Sequence, residues 1–85
     1  MATERYDFRM AKYGRDPRVF FDDAFEKISG ELSPNQEATV VVNPEHFTEP
    51  LESVASIAEE HGLSVVASEA VAPDEAIIEV RKRAA

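Results

Sequence analysis

From Arg5 to Met10 the chain alternates strictly, with Tyr6, Phe8 and Met10 on one side and Arg5, Asp7 and Arg9 on the other; from Pro17 that period of two gives way to a helical one. A chain that switches period in this way builds a sheet with helices packed on it. The alternation predicts a half-buried strand over residues 5–10. Phe21, Ala24, Phe25, Ile28 and Leu32 then recur at helical spacing, while Arg18, Asp22, Glu26 and Ser29 take the opposite face. Asp16 is placed to cap the first amides of this helix. Pro17 suits its first turn, having no N–H to leave unbonded, and Asp23 and Lys27 make a favourable i,i+4 pair. Residues 30–35 end the helix.

The switch then repeats. Residues 38–43, Ala-Thr-Val-Val-Val-Asn, are a β-branched run suited to an interior strand, closed by Asn43-Pro44. A second helix is expected over about 49–61, with Thr48 or Glu49 as cap, Pro50 in its first turn, Leu51, Val54, Ala55 and Ala58 inward, and Gly62 as left-handed terminator. Residues 63–70 and 76–83 read as strands joined across Val71-Ala-Pro-Asp74, a turn signal. The order β-α-β-α-β-β predicts an α+β fold, a two-layer α/β sandwich whose four-stranded mixed sheet carries both helices on one face.

Alternation assigns Tyr6, Phe8, Met10, Val40, Val42, Val65, Ala67, Ile78 and Val80 to the core. It assigns Arg5, Arg9, Val41, Val66, Ile77, Glu79 and Arg81 to the open face, with the second and third strands also readable one residue out of phase. Val41, Val66 and Ile77 would make an apolar strip inviting a second copy of the chain or another protein.

Eighty-five residues suit one domain, 1–85, with a single core. There is no cysteine, which excludes disulfides, thiolate ligands and thiol catalysis by this chain. No apolar run approaches a membrane span and no basic-then-apolar leader is evident, so a cytoplasmic location away from the membrane is expected. Acids outnumber bases 17 to 9, for a net charge of −8, and a surface so hydrated suits a salt-rich, halophilic cytoplasm.

The placement of charge is more informative than its sum. Residues 1–18 hold Arg5, Arg9, Lys12, Arg15 and Arg18, and residues 81–83 are Arg-Lys-Arg; between 19 and 80 Lys27 stands alone against fourteen acids. If the two ends converge, Arg9, Arg15, Arg18 and Arg81 are candidates for an anion or nucleic-acid site able to track a phosphate backbone. Against this stand the acidic total and the lack of a base-stacking motif. A smaller anion site could form from Arg15, Arg18 and the helix amides, but a capping Asp16 competes for the same place.

"GRDPRVFFDDAF", taken with the element order, resembles the TusA-like (SirA-like) family of small sulfur carriers, over nearly the whole chain from about Arg5 to Arg83. In that family a Gly-containing loop leads to a Cys-Pro-x-Pro signature opening the first helix, and the cysteine carries a persulfide. Gly14 fits the loop glycine and Pro17 the first signature proline, but Asp16 stands at the cysteine and Val19 at the second proline. The resemblance implies the family's sandwich without its sulfur chemistry. The same order also resembles the broader fold of the translation initiation factor three C-terminal domain and the Alba chromatin proteins, which bind nucleic acid.

Other chemistry finds little support. His46 and His61 lie near several glutamates without the spacing of a metal motif, so no metal and no cofactor are expected. The acids Asp22, Asp23, Glu26, Glu52, Glu59 and Glu60 fall on solvated helix faces, and no nucleophile motif accompanies the histidines. The expectation is a non-catalytic binding or interaction protein, with an unidentified protein partner or a homodimer favoured and nucleic-acid binding as the alternative.

Overall fold

The structure, a computed structural model, describes residues 4–84. Its elements are β1 (Glu4–Asp7), α1 (Pro17–Glu31), β2 (Glu37–Val42), a 3-10 turn over Pro44–His46, α2 (Leu51–Glu60), β3 (Leu63–Ala72) and β4 (Glu75–Lys82). The four strands form one mixed sheet in the order β1-β2-β4-β3, with β1 parallel to β2 and β4 antiparallel to both of its neighbours. Phe21, Phe25 and Ile28 of α1 and Val54, Ile57 and Ala58 of α2 share one core with Ala38, Val40, Val42, Ala76, Ile78 and Val80, so both helices lie on the same sheet face. Each fully buried Phe or Val contributes roughly 1.5–3 kcal/mol of transfer free energy, which makes this face the main source of stability.

The expected α+β sandwich and its element order are therefore present, and the departures have local causes. β1 stops at Asp7 because the Asp7 carboxylate accepts the Arg9 amide at 3.0 Å and Ala11 N–H closes a turn on the Phe8 carbonyl at 3.1 Å. Met10, expected in the core, is thus carried into the turn and left 93% exposed. In β3 the register slips between Val65 and Ala67, so Val66 is the extra residue of a bulge and Ala67, expected in the core, lies on the open face opposite Glu79.

At α2, Pro50 is extended (ψ 154°) and occupies the cap position with no side-chain cap bond, in place of Thr48 or Glu49. Its carbonyl instead receives the Ser53 and Val54 amides. Gly62 does terminate α2 with a positive φ of 79°, a conformation that costs other residues about 1–2 kcal/mol. Among the described residues the expected Asp23–Lys27 ion pair is not formed; both side chains are exposed on α1.

The open face is not the apolar strip that alternation suggested. Arg9 folds back across it, its guanidinium bonding both Asp7 oxygens on β1 (2.7–3.2 Å) and donating to Glu75 Oε1 on β4 at 3.1 Å. The side chain thereby crosses β2, and Val41, which pairs with Asp7 and Ile77, has no exposed surface. Val66 is displaced to the bulge at the far edge.

Candidate functional site: the first helix corner and the β1 edge

The C-terminal ends of β1 and β2 and the N-termini of both helices meet at one end of the sheet. Asp16 caps α1 as expected, its Oδ1 accepting the Arg18 amide at 3.1 Å, with Pro17 in the first turn. Gly14 has the positive φ (76°) that brings the loop round to this cap. The Asp16 carboxylate takes the Arg18 amide and its carbonyl the Val19 and Phe20 amides, which an anion would need, and Arg18 Nε lies 3.9 Å from the carboxylate. Arg15 is exposed and forms no ion pair among the described residues.

Behind the cap, Tyr13 locks the two loops together. It is 4% exposed, with its ring among Phe20, Phe21 and Phe47 at centroid distances of 4.7–5.3 Å. Its hydroxyl donates to the Phe8 carbonyl at 2.6 Å and accepts the Asn43 amide at 3.2 Å. Phe8 N–H bonds Val41 O, so the next rung of the parallel ladder would join Asn43 N–H to Phe8 O. The phenol is inserted into that rung. His46 sits at the rim of this cluster, its Nε2 3.4 Å from the side-chain Nδ2 of Asn43, and His61 pairs with Asp22 of α1 at 2.7 Å. Among the described residues no three His, Cys, Asp or Glu are grouped to hold a metal ion.

The basic candidates do not converge. Arg9, Arg15 and Arg18 lie at the Glu75 end of the sheet, whereas Arg81 lies six residues further along β4, about 20 Å away at the usual strand rise. Arg81 is paired across the ladder with Glu37 at 2.6 Å. Its neighbours are also committed. Lys82 Nζ donates to the Ser29 carbonyl and hydroxyl at the end of α1, both at 2.6 Å, and Arg83 Nη1 donates to the Glu59 carbonyl at the end of α2 at 3.1 Å. The Arg-Lys-Arg run thus supplies cations to the negative ends of both helix dipoles.

What sequence reasoning missed is a recess beside β1. Tyr6 of β1, Phe8 just beyond it, and Phe20, Ala24 and Ile28 from α1 line an apolar groove of about 280 Å³, with Asp23 and Lys27 on its rim. The signal was present in the spacing of Phe20 and Ala24, one flank round from the Phe21–Phe25 stripe, which widens the apolar face beyond what the core alone uses. The groove opens beside the outer edge of the sheet, because among the described residues β1 has β2 as its only neighbour.

Tyr6 marks one wall of the groove. Its hydroxyl donates to Glu31 Oε1 at 2.9 Å, and burial, reinforced by that hydrogen bond and by the Glu31 charge, pushes the phenol from 10.0 up to about 12. Burial raises the Tyr13 phenol as well. The folded chain therefore holds the Tyr6 proton where the unfolded chain has released it. This contribution to stability is complete below pH 10 and is lost as pH rises through about 12. With two tyrosines and no tryptophan, absorbance at 295 nm reads the transition cleanly. The native protein should form phenolate only above pH 10, and Tyr6→Phe should remove the step near 12; a native titration at the ordinary tyrosine value would contradict the geometry.

No family model matches the chain, and no curated protein matches it. Among solved structures, the solution structure of HP1264 from Helicobacter pylori is similar, with a TM-score of 0.64 and 26% identity over 96% of this chain and 100% of that one. The two chains share an architecture across essentially their full lengths.

Proposed function

We propose that this protein is a non-catalytic interaction module of TusA-like architecture, and that its contact surface is the β1 edge with the adjoining groove. The observation that carries the reading is the coincidence of a strand edge unpaired among the described residues with an apolar recess lined by Tyr6, Phe8, Phe20, Ala24 and Ile28. An added strand would gain main-chain bonds along the edge, while its alternate side chains would enter the recess. Sulfur relay is unavailable to it: a persulfide requires a sulfur nucleophile, the chain has no cysteine, and the corresponding corner holds the Asp16 carboxylate in use as a cap. The resemblance to the sulfur carriers thus bears on the platform and not on the chemistry.

Nucleic-acid binding through the termini receives less support. Arg9, Arg81, Lys82 and Arg83 are engaged within the fold, and the face they were expected to make positive also carries Asp7, Glu37, Glu69, Glu75 and Glu79.

Titration of labelled protein with extended peptides that alternate valine with acidic or basic residues tests the module. Amide shifts should concentrate at residues 5–8 and 20–28, and Ala24→Arg, which fills the recess, should abolish them. The reading fails if no peptide perturbs those amides, or if Ala24→Arg binds as well as the unmutated protein.

A further inference from the structure

The geometry points to a second copy of the same chain as the occupant of the β1 edge, joined antiparallel about a two-fold axis at Tyr6 to make an eight-stranded sheet. This inference rests on the interaction-module reading and names its partner.

The register follows from the backbone. Phe8 N–H bonds inward to Val41, so alternation turns the amides and carbonyls of Arg5 and Asp7 outward. Antiparallel self-pairing through outward-facing groups can then be centred on Arg5, Tyr6 or Asp7. Centring on Arg5 or on Asp7 sets a residue against its own copy and opposes like charges. Centring on Tyr6 sets Arg5 against Asp7 of the second copy twice over, each pair exchanging both main-chain bonds with opposite charges side by side. Arg5 makes no ion pair among the described residues, and Asp7, already bound to Arg9, retains acceptor sites for a second guanidinium.

The helix layer is complementary in the same sense. A two-fold axis perpendicular to the sheet runs the two α1 helices antiparallel on one face, so Asp23 of each copy faces Lys27 of the other, and these are the two charges on the groove rim that form no ion pair among the described residues. Tyr6 and Phe8 of the two copies meet between them. The opposite edge of the sheet is less suited to pairing. β3 is interrupted by register shifts after Val65 and after Ala70, and such bulges blunt an edge, whereas β1 stays in regular register with β2 throughout.

Sedimentation equilibrium of the full chain from micromolar to millimolar concentration tests the assembly, with circular dichroism to confirm folding of each variant. The unmutated protein should reach twice the 9.4 kDa protomer mass. Arg5→Pro removes an outward amide and no ladder bond, and should leave a folded monomer. Arg5→Glu, which leaves the backbone intact, should weaken association by about tenfold or more. Lys27→Glu should weaken it too, and the Asp23→Lys/Lys27→Glu exchange should restore it. A dimer that survives Arg5→Pro or Arg5→Glu, or an exchange that fails to restore, overturns the proposal. A protein monomeric throughout that still binds the extended peptides overturns the self-pairing and leaves the module; one that is monomeric and blind to the peptides overturns both.

Discussion

Tyr13→Phe should destabilise the domain by about 1–3 kcal/mol although it removes a single oxygen, because that oxygen satisfies two backbone groups at once. The phenol donates to Phe8 O at 2.6 Å and accepts from Asn43 N–H at 3.2 Å, joining the ends of β1 and β2 through one atom. Without the hydroxyl, Phe8 O and Asn43 N–H each lose this partner beside the aromatic cluster. Tyr13→Ala should cost about 3–5 kcal/mol, since it also empties the space among Phe20, Phe21 and Phe47. A domain of this length has roughly 4–13 kcal/mol in total, so the alanine variant should approach unfolding at ordinary temperature. Each kcal/mol should lower the melting temperature by about 4–8 °C. A Phe variant that melts with the unmutated protein would show that the ladder end does not depend on the phenol.

Tyr13 also illustrates where the sequence stops being legible. Periodicity located every strand and both principal helices, because burial on one face imposes a period that the chain must keep. Asp16, Pro17 and Gly62 marked their helix ends for equally local reasons, a side-chain acceptor, a missing donor and a left-handed φ. Tyr13 carries no such signature. It lies in a loop between the two patterns, and its role depends on Asn43, thirty residues away. The bulge at Val66 was invisible for a related reason: inserting one residue changes the phase of everything after it, and a run of small and β-branched residues reads equally well in either phase.

The candidate site shows the same limit in electrostatic form. Eight of nine cations lie near the two chain ends, and whether they share a patch depends on how the fold brings those ends together. β1 starts level with the end of β4, since Glu4 and Val80 both pair with Ala38, but it then runs the other way, so Arg9, Arg15 and Arg18 lie at the opposite end of the sheet from Arg81. Arg9 then bonds Asp7, whose carboxyl the guanidinium holds down at about 2, and the pair acts across β2 as a clasp over Val41. The Asp7 contribution to stability is therefore complete above its ordinary value of 3.8 and is lost only as pH falls through about 2. Composition can count such charges, but only the register says which of them remain available to a ligand.

Lys82→Met is the sharpest test of that distinction. It preserves the aliphatic stem and removes one charge from the most basic tripeptide in the chain. If Lys82 were a surface cation, the change would be nearly silent, within about 0.5 kcal/mol. In the structure its ammonium donates to both the carbonyl and the hydroxyl of buried Ser29, at 2.6 Å each, where the last turns of α1 present carbonyls with no helical partner. Methionine cannot replace those bonds, and it withdraws the positive charge from the negative end of the helix dipole. The expected loss is about 2–4 kcal/mol, made up of the charged hydrogen bonds and the dipole interaction. Arg15→Met provides the control, because it makes the same change of charge at a side chain with no ion pair among the described residues, and it should leave the urea midpoint in place. Equal midpoints for the two variants would mean that Lys82 is as available as Arg15, and would return the terminal cations to consideration as a binding surface.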